Sequence, residues 1–306
     1  MTLRLPFRRP FHWDGMLAFL ALRAVPGVEE VVDGAYRRVV ALGTGAAVLQ
    51  VRRSPKQDAL LAELEPRAGR ARPLVVKRLR GLFDLDADSA RIDRALARER
   101  RLAPRVQRAP GTRVPGSWDR FELGVRAILG QQVTVRAATT VAGRIAARFG
   151  RPLRATVPAG SSLAVRFPEP DDLVEADLAT AGMPGARAAA IRGFARAAAD
   201  GELAKLDDVD ALRERLCRLP GIGPWTAGYV ALRSLGDRDV FLEGDLGVRH
   251  ALARGGVLPT PRRVLEIAEA WRPWRSYAVI HLWSQPGPPG RRVTAADRRP
   301  SPGSGP

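Results

Sequence analysis

The sequence predicts an α+β protein in which a small antiparallel sheet precedes a mostly α-helical region. Two short apolar runs, Val39 to Leu42 and Ala46 to Val51, flank a turn with two glycines, a pattern typical of a β-hairpin. From Trp118 onward the apolar residues recur at helical spacing instead. With 306 residues and 45% hydrophobic content, the chain can bury enough core for two or three domains.

Changes in composition along the chain divide it into three segments. Residues 1–112 are predicted to form the α+β domain, which has no charge constellation of its own and is expected to play a supporting role. Residues 113–285 are predicted to be all-α, in two helical lobes, and the Pro- and Gly-rich residues 286–306 to be disordered. Within the first segment, helical patterns run over Met16 to Ala24, Ala59 to Ala62 and Ala90 to Leu102.

A glycine-rich turn between two predicted helices is the most informative motif of the chain. Gly221 and Gly223 enclose Ile222, and helical patterns run from Leu206 to Leu216 before the turn and from Trp225 to Leu235 after it. Such a hairpin directs backbone N–H groups outward and has no Cβ to keep a phosphate away. On its own a Gly-x-Gly turn is equally compatible with a simple helix end.

Asp245 follows Gly223 by 22 residues and stands alone as a carboxylate at the start of another helical pattern, Leu246 to Ala253. The dipole of that helix favours an anion at this position. A carboxylate one short connection beyond the hairpin is suited to chemistry on whatever the hairpin binds. The alternative is that Asp245 only caps the helix, as aspartate often does.

The charge of the chain indicates a polyanionic partner. The net charge is +18 and the sequence pI about 11.4. Only three residues are lysine, so the arginine excess is also consistent with a biased genomic base composition. The single cysteine, Cys217, allows no intrachain disulfide and is predicted to pack in the core, and the three histidines lack metal-ligand spacing.

The hairpin, the aspartate that follows it and the closing segment Trp271 to Ala278 resemble base-excision DNA glycosylases of the helix–hairpin–helix superfamily. Within that superfamily the chain is most similar to the bacterial 3-methyladenine DNA glycosylase II (AlkA-type) branch. The resemblance extends from Phe11-His12-Trp13 through Arg126 to Gln132 and on to Trp283, which is nearly the whole chain apart from its tail.

The resemblance implies a monofunctional glycosylase that excises alkylated purines, such as 3-methyladenine, from double-stranded DNA and so initiates base excision repair. The base would be flipped out of the duplex. Asp245 would then assist hydrolysis of the N-glycosidic bond, and no cofactor is implied. The resemblance also implies an aromatic substrate pocket made of Trp225, Tyr229 and Trp283, with Phe19 as a further wall. For each aromatic residue the alternative is ordinary core packing.

DNA contacts are implied at the hairpin residues Gly221, Ile222, Gly223 and Thr226. A monovalent cation at the backbone carbonyls of Leu219 and Ile222 is a further implication, with no catalytic metal. In close relatives a leucine fills the space left by the flipped base, and Gln132 holds that position here. Gln132 is either the intercalating residue or a solvated turn residue.

The chain departs from the family pattern at two pocket positions, where Leu246 and Ser284 replace aromatic residues. The pocket is therefore expected to be less aromatic. A lyase activity is not expected, because Trp225 stands where lyase relatives carry their nucleophilic lysine, and iron–sulfur members need four cysteines. The alternative from another class is a non-catalytic helix–hairpin–helix DNA-binding protein.

No apolar run reaches the length of a membrane span, and Pro6, Pro10 and Asp14 interrupt any signal-peptide pattern at the N-terminus. We therefore expect a cytoplasmic, nucleoid-associated monomer with no membrane contact.

Overall fold

The computed structural model describes residues 2–42, 45–66 and 69–284. The predicted disordered tail, residues 286–306, lies outside this range. Among the described residues, no helix combines the length and the apolar character needed to cross a bilayer.

The N-terminal part contains a five-stranded antiparallel sheet, in the order β1-β5-β4-β3-β2. The predicted hairpin is confirmed: in strands β3 and β4, Val39 lies opposite Val48 and Leu42 opposite Gly45. The strand bounds are β1 Thr2–Pro6, β2 Glu29–Val32, β3 Ala35–Leu42, β4 Gly45–Arg53 and β5 Ala59–Glu65.

The predicted helix over Ala59 to Ala62 is wrong, because these residues form the first half of β5. This strand pairs with both β1 and β4, so Leu60 and Ala62 are buried while Glu65 reaches solvent. Alanine and leucine favour helices intrinsically, but four residues are too few to decide the structure against two neighbouring strands.

Helices make up most of the remainder, which confirms the predicted fold class. The thirteen α-helices of the described residues are α1 Trp13–Arg23, α2 Arg72–Leu82, α3 Ser89–Leu96, α4 Ala103–Arg108, α5 Arg120–Leu129, α6 Val135–Phe149, α7 Pro170–Val174, α8 Gly185–Ala199, α9 Val209–Cys217, α10 Pro224–Leu235, α11 Leu246–Ala251, α12 Pro261–Ala268 and α13 Arg275–Trp283. A two-stranded ladder, β6 Arg151–Pro152 with β7 Val165–Arg166, follows α6.

The single helix predicted over Ala90 to Leu102 is two helices. Helix α3 ends at Leu96, and α4 begins at Ala103 with Pro104 in its first turn. Proline disfavours the helical conformation in the residue before it and lacks the N–H that a continuing helix requires. The chain therefore turns between the two helices.

Three large buried clusters, and a small one of Val39, Val48 and Leu163, hold the described residues together. The first joins the sheet to α1 and α2, the second joins α5, α6, α8, α9 and α10, and the third joins α3 and α4 to α11, α12 and α13. Helices α3 and α4 precede residue 112 in the chain, yet they share a core with the last helices through residues such as Leu96 and Trp271. The segment boundary at residue 112 stays a prediction from the sequence.

Cys217 is exposed at the end of α9, so its predicted core position is wrong. The buried face of α9 is formed by Leu212 and Leu216, which are four residues apart. Cys217 lies one position further along the helix and is therefore rotated about 100° away from that face.

Candidate functional site

Asp245 is the N-cap of α11, as its position before a helical pattern predicts. Its Oδ1 atom accepts the backbone N–H of Val248 at 2.8 Å, and only 8% of the residue is exposed. The side chain thus satisfies one of the N–H groups that the first turn of a helix leaves without a partner.

The same carboxylate accepts two further hydrogen bonds from indole rings. Trp225 Nε1 donates to Oδ2 at 2.8 Å, and Trp283 Nε1 donates to Oδ1 at 2.9 Å. Asp245 is therefore more than a helix cap. Three N–H donors fix the orientation of this carboxylate and satisfy its hydrogen-bonding capacity in a nearly buried position.

The aromatic rings around Asp245 form one continuous wall. Trp225 stacks on Tyr229 with centroids 5.4 Å apart, and Tyr229 is tilted against Trp283 at 6.0 Å. Phe19 also stacks on Trp283, with centroids 6.4 Å apart and planes 23° from parallel. The structure thus brings Trp225, Tyr229 and Trp283 together beside Asp245, whereas Phe19 contacts Trp283 without lining the cleft itself.

A cleft of about 460 Å³ opens beside this wall and is bounded by Asp245, Trp225, Tyr229 and Trp283. Its other side comes from α1, α5 and α6. Leu246 and Ser284 are not among its lining residues. Lining residues that the sequence did not predict include Leu22, Arg23, Arg126, Val133, Val135 and Gly247.

Of the missed residues, Arg23 had a recognisable signal. It follows Phe19 by four positions, which places both on one face of α1. Its guanidinium carbon lies 3.7 Å from the centre of the Phe19 ring. The α1 helix packs on the N-terminal sheet, so this domain contributes to the cleft as well as supporting it.

Three arginines surround the hydroxyl of Tyr229. Arg233 donates to that oxygen at 2.7 Å, and Arg23 and Arg126 add positive charge nearby. Burial by itself would raise the pKa of Tyr229, but the nearby positive charges and the hydrogen bond outweigh it and lower the pKa to about 8.

The glycine hairpin has the geometry that its sequence predicts. Gly221 has φ +81°, in the left-handed region that favours glycine, and Ile222 N donates to Leu219 O at 3.1 Å to close the turn. A Cβ on Gly221 would lie 2.6 Å from Ala190 Cβ, whereas Gly223 faces open space. Gly223 caps α10, so the first N–H groups of that helix lie beside an open surface.

The loop after α5 lies against the hairpin through Gln131. Its Nε2 atom donates to Gly221 O and to Thr226 Oγ1, both at 2.9 Å. The Thr226 side chain is consequently buried. Gln132, the next residue, is exposed with φ +57°, and it is Val133 rather than Gln132 that lines the cleft.

Within the described residues, no group of three or more His, Cys, Asp or Glu side chains is arranged to hold a metal ion.

Two family models match the chain. One, the AlkA N-terminal domain, matches residues 2–119, and the other, the HhH-GPD superfamily base excision DNA repair protein, matches residues 125–275. The sheet domain and the helical domain with its hairpin thus define the class of HhH-GPD base excision repair proteins.

Comparison with individual proteins shows which family within this class the chain belongs to. The chain is 37% identical to DNA-3-methyladenine glycosylase 2 of Escherichia coli, over 92% of this chain and 97% of that protein. It is 42% identical to a probable bifunctional transcriptional activator/DNA repair enzyme AlkA of Mycobacterium tuberculosis, over 93% of this chain. The chain spans only 57% of the length of that relative. It belongs to the AlkA family, as the sequence motifs predicted.

Comparison with solved structures agrees with this family assignment. The 3-methyladenine DNA-glycosylase from Archaeoglobus fulgidus superposes with a TM-score of 0.80 at 25% identity, covering 92% of this chain and 97% of that one.

We expect a single tyrosine to ionise well below the ordinary pKa near 10. The chain has three tyrosines, and burial raises the pKa of Tyr36 and of Tyr277, with nearby carboxylates adding to the effect. A titration followed by tyrosinate absorbance should show one group with a midpoint near pH 8, absent in Tyr229→Phe.

Because the folded pKa of Tyr229 is depressed, its contribution to stability is fully present above pH 10 and is lost as the pH falls through 8. A wild-type protein with no tyrosinate signal below pH 10 would contradict the described arginine cluster.

Proposed function

We propose that this protein is a DNA glycosylase that releases alkylated purines, such as 3-methyladenine, from double-stranded DNA. The observation that carries the proposal is the Asp245 carboxylate, held by two indole N–H groups at the edge of an aromatic cleft beside a phosphate-accessible hairpin. Membership of the AlkA family supports it. The proposed partner is alkylated DNA, bound by a monomer at the nucleoid in the cytoplasm, and the net charge of +18 supports a polyanionic partner.

The cleft suits a flipped, positively charged purine. An enzyme that acts on a base in duplex DNA must first take the base out of the stack. The faces of Trp225, Tyr229 and Trp283 then attract a cationic ring through their π-electrons. A base that already carries positive charge leaves readily, so the site needs no strong general acid.

In this proposal Asp245 acts on the sugar. As the bond between C1′ and the purine nitrogen breaks, its electron pair leaves with the base and positive charge develops on the deoxyribose. The Asp245 carboxylate stabilises that charge, and its orientation is set in advance by three hydrogen bonds. Water adds to C1′ and loses a proton, which leaves an abasic site. The same carboxylate is suited to guide that water.

The hairpin is proposed to grip the DNA backbone. The N-terminus of α10 presents unpaired N–H groups and the positive end of its dipole, an arrangement that binds phosphate. No side chain projects from the hairpin surface at Gly221, Ile222 or Gly223, so a phosphate can approach the backbone. Thr226, whose side chain is buried, contributes only its backbone N–H.

The implied monovalent cation fits the hairpin carbonyls. Leu219 O accepts one N–H, from Ile222, and a carbonyl oxygen has a second lone pair available. Leu219 and Ile222 would hold the ion, which would supply positive charge for a phosphate.

We expect Asp245→Asn to lower the rate of base release by roughly 10²-fold or more while DNA affinity stays near that of the wild type, because a single electrostatic stabiliser is lost and phosphate contacts remain. The measurement is single-turnover release of free bases from DNA treated with a methylating agent. Asp88→Asn, which also changes an aspartate N-cap, is the control and should retain activity.

Circular dichroism must show that Asp245→Asn is folded, since the new amide N–H₂ adds donors in a site already supplied with indole N–H groups. Release at the wild-type rate in the folded variant would remove Asp245 from the reaction. A wild-type protein that bound DNA but released no base would favour the DNA-binding alternative.

Gly223→Ala is expected to weaken binding about tenfold for all DNA, with or without a lesion, because a methyl group would obstruct a charged hydrogen bond to phosphate. The substitution meets no atom within 4 Å and the φ of −95° suits alanine, so the fold should be retained. Gly221→Ala would not separate binding from folding, given its positive φ and its contact with Ala190.

The control for the hairpin is Gly185→Ala, a glycine in open space that follows a proline at the start of α8. Fluorescence anisotropy with lesion-containing and undamaged duplexes measures both variants. A loss confined to lesion-containing DNA would show that the hairpin reads the base.

We also propose that the enzyme has no lyase activity and leaves an intact abasic site. A lyase attacks C1′ with an amine, and none of the three lysines, Lys56, Lys77 and Lys205, lines the cleft. Trp225 occupies the corresponding position after the hairpin, and its indole nitrogen cannot form a Schiff base.

Borohydride present during turnover should therefore trap no protein–DNA adduct, and strand breaks should appear only after alkali or an added endonuclease. An adduct that disappeared on replacing one of the three lysines would establish a lyase instead.

A further inference from the structure

Four charged side chains, three of them buried and the fourth, Arg126, partly buried, join the N-terminal sheet to α5. Arg38 donates to Glu29 at 3.0 Å and to Glu122 at 2.6 Å, and Arg126 donates to Glu29 at 3.2 Å and to Glu122 at 2.8 Å. We call these four residues the charge quartet. Its formal charges cancel, and Glu29, Arg38 and Glu122 are each at most 6% exposed.

Stability alone does not account for the charge quartet. Withdrawing charges from water is costly, and apolar side chains of similar volume often stabilise a protein equally well. What the quartet adds is direction, because each guanidinium has its donors in a rigid planar fork. The charge quartet therefore fixes the orientation of the groups that are bonded to it.

At its Arg126 end, the charge quartet lies beside the substrate cleft. One side of the Arg126 fork is held by Glu29 and Glu122, and the other side, Nη2, donates to the backbone carbonyl of Arg23 at the end of α1. The Arg23 side chain lies over Phe19, and Phe19 stacks on Trp283, which lines the cleft. A chain of direct contacts therefore connects the quartet to the aromatic wall.

We propose that Arg126, oriented by Glu29 and Glu122, is a positioning residue that fixes α1 so that Phe19 of the N-terminal domain supports Trp283 in the wall of the substrate cleft. This inference rests on the proposed glycosylase function for its kinetic consequence. It assigns a role in substrate placement to a domain whose sequence shows no charge constellation of its own.

The competing explanation is that Arg126, which lines the cleft, contacts the base itself. A double-mutant cycle distinguishes the two. Arg126→Lys keeps the charge but cannot hold two carboxylates and the Arg23 carbonyl at once, and it is expected to slow single-turnover release by between about tenfold and 10²-fold at unchanged DNA affinity. Phe19→Ala should slow release similarly.

If Arg126 acts through Phe19, the double variant Arg126→Lys/Phe19→Ala releases bases no more slowly than Phe19→Ala alone. If the two losses multiply, Arg126 acts on the substrate directly and the positioning role is wrong.

Arg37→Lys is the matched control. Arg37 is the neighbour of Arg38 on β3, and it is also largely buried and paired, with Glu30 at 3.3 Å and Gln50 at 2.6 Å, but its partners lie on the sheet. This variant should release bases at the wild-type rate. An equal loss in Arg37→Lys would show a general effect of disturbing buried pairs and would overturn the proposal.

Amide hydrogen exchange tests the same inference without any reaction. Exchange in residues 19–24, at the end of α1, should be faster in Arg126→Lys and in the isosteric Glu29→Gln than in the wild type, and unchanged in Arg37→Lys. Unchanged exchange in both quartet variants would refute the positioning role even if the enzyme were active. Because this readout does not need base release, failure of the proposed function would leave it interpretable.

Discussion

The hydrogen bonds to Asp245 are the constraint on which the site depends. Its carboxylate receives N–H groups from Val248 in α11, Trp225 in α10 and Trp283 in α13. One charge therefore sets the relative positions of three helices, and it does so by binding the edges of two indoles. Since the N–H edges point at the carboxylate, the apolar parts of both rings stack with their aromatic neighbours and line the cleft.

A second constraint comes from the other side of the cleft. The hairpin and the aromatic residues of α10 and α13 belong to the helical part, but the cleft has a full wall only because α1 of the sheet domain is docked against it. The docking uses a neutral set of largely buried charges, the charge quartet, rather than apolar packing alone. Directional contacts of this kind define an orientation more sharply than apolar surfaces do.

The sequence was most informative where structure is local. The turn at Gly221, the start of α10 and the capping role of Asp245 all depend on residues within a few positions of one another, and each was predicted. The errors also have local causes. The run that begins at Ala59 was too short to distinguish a strand from a helix, and the position of Cys217 depended on which face of α9 is buried.

The sequence by itself determined the fold class, the hairpin and the position of the lone aspartate after it, because residue type and spacing carry that information, and the family resemblance of its motifs named the aromatic residues of the candidate site. Only the tertiary structure decided how these residues are arranged in space. Asp245 and Trp283 are 38 residues apart, and Glu29 and Arg126 are 97 residues apart. No local pattern links such pairs, since their proximity follows from the packing of whole helices and of the sheet. The roles of Arg23 and Arg126 beside the cleft became visible only when that packing was known.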